Sequence, residues 1–178
     1  METDAKIVER CLRGERAAFE VLVDRYEKLV YNIAYRTLGN LEDAADVTQT
    51  VFVKVFERLD TFDPSRKFFS WIFRISMNES LNLVKRRRRE VDLDPEILAD
   101  DPNPEELAAA SEAREILRRA LPELHSDLRA VIVLRHFEGM SYREIGEVLG
   151  IPEKTVKSRL FSARHALRRS LVRLGVGE

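Results

Sequence analysis

Apolar positions recur along most of this chain at spacings of three and four, the period of an α-helix, and the pattern predicts an all-α protein. From Ala17 to Leu38 the apolar set is Phe19, Leu22, Val23, Tyr26, Leu29, Val30, Ile33 and Ala34, and Gly39-Asn40 supplies a stop. A second helix runs from Leu41 to Leu59, with Val47, Val51, Val55 and Leu59 on one stripe. The stretch Thr61 to Ser65 breaks the period before a third helix, from about Phe68 to Arg88. Four more follow: Pro104 to Ala120, Ser126 to Phe137, Ser141 to Leu149, and Glu153 to Leu174. Ser141 three residues before Glu144 makes a capping box, Gly150 suits a left-handed turn, and Pro152 pre-sets the first turn of the last helix.

These helices fall into two small domains. Glu90 to Glu106 reads as an acidic, flexible linker in which Pro95, Pro102 and Pro104 interrupt any helix. The expected boundaries are residues 1–90, a linker over 91–110, and a helix-turn-helix domain over 111–178. Hydrophobic residues at 44% and charged residues at 34% fit a soluble globular chain. The single cysteine, Cys11, excludes an intramolecular disulfide and a Cys-based metal site, and no cofactor is expected. No apolar run nears the roughly 20 residues of a membrane span, and the N-terminus lacks a signal-peptide core, so a cytoplasmic chain is expected.

The net charge of -1 conceals a segregation. From Arg66 to Arg89 there are eight bases and one acid, Glu79; from Val91 to Glu115 there are nine acids and one base, Arg114. Lys154 to Arg173 is basic without an acid. Charge blocks can be plain solvated surface, but two basic blocks bracketing an acidic one point to a polyanion.

A short helix, a turn at Gly150 and a long basic helix form a helix-turn-helix, whose second helix enters the major groove of DNA. At about 100° per residue, Val156, Leu160, Ala163 and Leu167 make the core stripe. Lys154, Lys157, Ser158, Phe161, Ser162 and His165 lie opposite. An aromatic set among Lys and Ser wants an external partner: Phe161 suits a thymine methyl, and Lys157 and Ser158 suit base edges. Thr155, Arg159, Arg164 and Arg168 flank that face and suit phosphates.

Apolar residues encircle the third helix, leaving only a stripe of Arg74, Asn78, Asn82 and Lys85. Most of these apolar residues, Trp71, Ile72 and Ile75 among them, read as core. Just before the helix, Ser65-Arg66-Lys67-Phe68-Phe69 places cations and aromatics on a loop that could trap an unstacked base.

In these residues the chain resembles the small two-domain sigma factors of the extracytoplasmic-function group. Asp43 to Phe62 resembles that family's polymerase-binding helix, Phe68 to Arg89 its promoter-melting helix, and Leu121 to Leu171 its -35-reading domain. The Trp71, Arg74, Ile75, Asn78 pattern and the TVKSRL recognition helix are the specific parts. The resemblance implies that Asp43, Asp46, Gln49 and Phe52 engage the clamp helices of the polymerase largest subunit. It implies that Ser65 to Phe69 hold a base flipped from the -10 strand, with Asn78 contacting that element, and that Lys157, Ser158 and Phe161 read the -35 element. The implied partners are core RNA polymerase, including the flap of its second-largest subunit, promoter DNA and an anti-sigma factor, without membrane insertion. Lys154 stands where the family often has Gly, Ser162 where a base is frequent, and Thr50 where an acid commonly follows Gln49.

Two rival readings remain distinguishable by experiment. An operator-binding regulator would share the helix-turn-helix but would yield no promoter-specific RNA with core polymerase. An enzyme would need a motif, yet His125, His136 and His165 have no metal spacing and no Gly-rich phosphate loop or nucleophile motif occurs.

Overall fold

The structure, a computed structural model, describes residues 2–93 and 112–176, and within them the chain is helical without a strand. The N-terminal half comprises α1 (Asp4–Leu12), α2 (Arg16–Leu38), α3 (Leu41–Glu57), a 3-10 turn at Leu59–Thr61, and α4 (Phe68–Leu93). The short α1 was not signalled by periodicity, because nine residues with only Ile7 and Val8 buried carry too little pattern. Asp4 anchors it, accepting hydrogen bonds from Arg25 and from the Tyr26 hydroxyl at 2.6 Å.

The expected stripe of α2 faces inward: Leu22, Val30, Ile33 and Ala34 are fully buried. Gly39 ends that helix at φ 78°, a left-handed conformation that costs glycine little. Asn40 then caps α3, its side chain accepting from the Asp43 amide at 2.9 Å. Helix α4 packs on both α2 and α3 through Phe68, Ile72, Phe73 and Met77. It continues past Arg88 to Leu93, so the helix overruns the expected start of the linker at 91. The rest of the expected acidic linker and the start of the helix expected from Pro104 lie outside the described residues.

The C-terminal half comprises α5 (Glu112–Ala120), α6 (Ser126–Ile132), α7 (Tyr142–Leu149) and α8 (Glu153–Arg173). The single helix expected over Ser126 to Phe137 widens into a π turn at Val133–Phe137, where the Glu138 amide reaches back to the Val133 carbonyl at 3.3 Å. The capping box of α7 forms: the Glu144 amide donates to Ser141 Oγ at 3.2 Å, and the Ser141 amide donates to Glu144 Oε2 at 3.0 Å. A Cβ on Gly146 would lie 2.7 Å from the Ile151 carbonyl, so the tight turn into α8 needs glycine at that position.

The halves touch along two strips. In the first, Arg129 of α6 is 6% exposed and donates to the Thr37 carbonyl at the end of α2. Its Nη2 donates to the carbonyls of both Pro122, at 2.6 Å, and Leu124, at 3.1 Å. Beside it, Arg36 pairs with Glu138 at 2.8 Å and stacks 4.5 Å from the Phe137 ring centroid. The second strip joins the start of α4 to α7.

Candidate nucleic-acid interface

The face of α8 lies where the helical wheel puts it. Val156, Leu160 and Ala163 are buried and Leu167 is half-buried, while Lys154, Lys157, Ser158, Phe161, Ser162 and Arg164 are exposed. Phe161 keeps 67% of its surface free, and its ring sits 4.5 Å from that of His165. Lys157 pairs with Glu153 at 3.1 Å and lies 5.9 Å from the Tyr142 ring of α7, which directs it along the turn. Thr155 and Arg159 are half-buried. Arg159 is committed inside the domain, to Asp127 of α6 at 2.8 Å.

On the other half, Ser65, Arg66 and Lys67 are exposed on the loop before α4. Asp63 shapes that loop by accepting from the Ser65 amide at 2.9 Å. The expectation that Phe68 offers a ring to a base is corrected here. Phe68 is 2% exposed, and its ring centroid lies 5.3–5.5 Å from those of Phe62, Tyr26 and Trp71. Phe69 is half-buried, its ring tilted against that of Phe73 with centroids 4.2 Å apart. Along α4, Arg74 is half-buried, and Asn78 and Asn82 are exposed as the stripe requires.

Lys67 and Arg74 do not face open solvent alone. Lys67 pairs with Glu144 of α7 at 2.8 Å, and Arg74 donates to the Glu147 carbonyl. Between them lies a cleft of about 630 Å³, walled by Arg66 and Trp71 on one side and by Arg143 and Glu147 on the other. Lys67 and the bonds from Ser141 hold the Glu144 carboxyl down at about 2. A carboxyl depressed in the folded state stabilises it above the ordinary value of 4.5 and loses that contribution as pH falls towards 2. In an NMR titration, Lys67→Ala should move the Glu144 midpoint up towards the ordinary range. An unmoved midpoint would assign the depression to the cap alone.

The α3 surface departs from expectation at two positions. Phe52 is 9% exposed and packs in the core. Asp43 is likewise buried, with Arg87 donating to its Oδ1 at 2.6 Å, so its carboxylate is occupied within the chain. Asp46 and Gln49 are exposed. The same side carries two apolar residues that sequence reasoning missed, Val53 at 57% and Phe56 at 64% exposure. Their signal was available, since both fall off the Val47, Val51, Val55 stripe. Among the described residues no group of three His, Cys, Asp or Glu gathers as a metal site.

A helical pair of domains, one bearing a basic helix-turn-helix and the other an Asn/Arg-striped helix beside a cationic loop, defines a DNA-binding protein of transcription. Family models place it further: Sigma-70 region 2 matches residues 22–90, and Sigma-70, region 4 matches residues 114–167. The chain is 33% identical over 178 residues to the ECF RNA polymerase sigma factor SigW of Bacillus subtilis (strain 168), covering 93% of this chain and 95% of that one. It is 36% identical over 177 residues to the ECF RNA polymerase sigma-E factor of Escherichia coli (strain K12), covering 93% and 92%. The solved structure of CnrH in complex with the cytosolic domain of CnrY matches with a TM-score of 0.70 at 31% identity, over 96% of this chain and 97% of that one. The sigma factor RpoE from Bartonella quintana, solved in complex with the anti-sigma factor NepR, shares the fold at a TM-score of 0.71 and 24% identity, over 90% and 98%. The chain belongs to the extracytoplasmic-function sigma factors. It directs promoter-specific transcription by RNA polymerase, the work of a DNA-binding initiation factor. None of the described helices is long and apolar enough to cross a membrane.

Proposed function

We propose that promoter specificity is divided between two surfaces, with α8 reading duplex -35 DNA and the start of α4 melting and capturing the -10 strand. The observation that carries the reading is the exposure of Phe161 at 67% amid Lys157 and Ser158 on an otherwise cationic helix face. On that face Lys157 and Ser158 meet base edges, Phe161 meets a thymine methyl, and Lys154, Thr155, Ser162 and Arg164 set the register on phosphates. Arg159, held by Asp127, acts by fixing α8 against α6.

At the -10 surface, Arg66, Lys67 and Arg74 supply cations, Asn78 and Asn82 supply paired donors and acceptors, and Phe69 is the ring nearest the surface. Core polymerase binds the side of α3 where Asp46 and Gln49 stand beside the exposed Val53 and Phe56. The C-terminal domain meets the flap of the second-largest subunit. An anti-sigma factor is a further partner, and the chain works in the cytoplasm without catalysis of its own.

Run-off transcription with purified core polymerase on promoter variants tests the division. Phe161→Ala and Lys157→Ala should each lower -35-dependent initiation roughly tenfold, the scale of one or two base contacts. Retained selectivity in both would sink the -35 assignment. Asn78→Ala should slow open-complex formation while leaving duplex -35 binding intact, and equal loss of both would point to misfolding.

A further inference from the structure

The far end of α4 is tied to the first turn of α3. Asp43, in that turn, is 9% exposed. Arg87 of α4 meets both of its oxygens: Nη2 donates to Oδ1 at 2.6 Å, and Nη1 lies 2.5 Å from Oδ2. Two nitrogens on two oxygens fix direction as well as distance, because a planar fork meets a planar carboxylate. Past Ser80 none of the described α4 side chains is buried, so apolar packing constrains that end least and the ion pair sets where it points.

Arg87 faces α3, and the opposite side of the same stretch carries a polar stripe. At about 100° per residue, Asn78, Asn82, Lys85 and Arg89 fall within roughly 60° of one another, with Arg87 almost diametrically across. All four are exposed. They cover about 16 Å of helix at 1.5 Å per residue, the length of roughly five base pairs. The asparagines stand nearer the proposed -10 loop and suit base edges. Lys85 and Arg89, at the far end, are cations that suit phosphates. Melting runs from the -10 element towards the start site, so the duplex adjoining the captured strand lies on its -35 side.

We propose that Asp43 is a positioning residue for DNA rather than a polymerase contact: by pinning Arg87 it aims Lys85 and Arg89 at the phosphates of the duplex that adjoins the -10 strand. The proposal rests on the -10 reading above.

The test titrates the holoenzyme, this chain on core polymerase, with two labelled probes across a salt series. Both are built on a promoter that the holoenzyme transcribes in run-off assays. One is a fork, duplex on the -35 side with a single-stranded -10 tail, and the other is the single-stranded -10 oligomer alone. Asp43→Asn should weaken fork binding roughly fivefold and make its log–log salt slope shallower by about one to two, the contacts of Lys85 and Arg89. Oligomer binding and affinity for core polymerase should stay at wild type. The sign is diagnostic, because removing a carboxylate makes the chain less acidic and would otherwise tighten binding to a polyanion. Asp43→Glu, which keeps a carboxylate within reach of Arg87, should restore fork binding. In a Lys85→Ala/Arg89→Ala background, Asp43→Asn should have no further effect.

Fork binding unchanged or tightened in Asp43→Asn would overturn the proposal. So would weaker association with core polymerase, which would make Asp43 a polymerase contact, or equal loss on both probes, which would make the ion pair a clasp for the fold only. Lys85→Ala/Arg89→Ala changes exposed side chains alone, and an unaltered fork slope in that variant overturns the proposal whatever Asp43→Asn does to folding. Failure of the -10 reading shows on the other probe: Asn78→Ala would then bind the oligomer as wild type does, and the proposal would fall with it.

Discussion

Replacing Arg129 with alanine should lower the melting temperature more than any surface substitution in the chain, because one side chain satisfies three carbonyls. Those of Thr37, Pro122 and Leu124 all accept from its guanidinium, and the residue is 6% exposed. Burial pulls its pKa down to about 10, so it still carries its charge at neutral pH. No carboxylate balances that charge among these contacts; the Thr37 carbonyl, at the negative end of α2, does part of that work. A buried acceptor left unpaired costs about 1–3 kcal/mol, although some of the three would find water in the space vacated. A net loss of about 3 kcal/mol, or roughly 6–12 °C in melting temperature for a chain of this size, is the expected result. Arg129→Lys should recover only part, since an ammonium cannot present a planar fork to carbonyls on separate segments. Melting followed by circular dichroism checks both variants. A wild-type midpoint for Arg129→Ala would mean that the carbonyls rehydrate at no cost.

Arg129 also marks where the sequence stops being legible. In the run Leu128-Arg129-Ala130-Val131 it looks like a surface residue of an amphipathic helix, and nothing in a 3.6 period distinguishes an arginine facing carbonyls from one facing water. Periodicity tells which face is buried and not what covers it. The same limit explains α4. Its encircling apolar residues were readable, and so was the need for more than one neighbour, but the identity of α7 as a neighbour was not. Gly146 escaped notice because the close approach of the Ile151 carbonyl is a property of the turn rather than of the residue pattern.

Where a stripe could be compared with an outlier, the reading worked. Val156, Leu160 and Ala163 fill the inner side of α8, so Phe161 had to point outward, and it does. On α3 the outcome differs: Phe52, expected to engage polymerase, is buried, while Val53 and Phe56, which fall off the Val47, Val51, Val55 stripe and were not singled out, are exposed. The polymerase-facing set carried over by resemblance therefore mixed two exposed polar residues with two buried ones. A resemblance transfers positions, and burial decides which of those positions can touch a partner directly.

Phe68 shows how large that difference becomes in energy. Read from sequence, it belongs to a loop offering rings to an unstacked base, and Phe68→Ala would then leave stability nearly unchanged. In the structure it is the first residue of α4, wedged among Tyr26, Phe62 and Trp71. Truncating a fully buried phenylalanine costs about 3–5 kcal/mol, a large share of the 5–15 kcal/mol typical of a domain. Phe68→Ala should therefore melt far below wild type, and Phe69→Ala, from a half-buried ring, by much less. Activity should divide the other way once folded fractions are matched. At a temperature where both variants are native, Phe69→Ala should impair open-complex formation, whereas Phe68→Leu, which keeps an apolar plug, should remain close to wild type. If Phe68→Leu instead lost open complexes while keeping its melting temperature, the ring would have to leave the core to meet DNA. The loop would then be a moving part rather than a fixed platform.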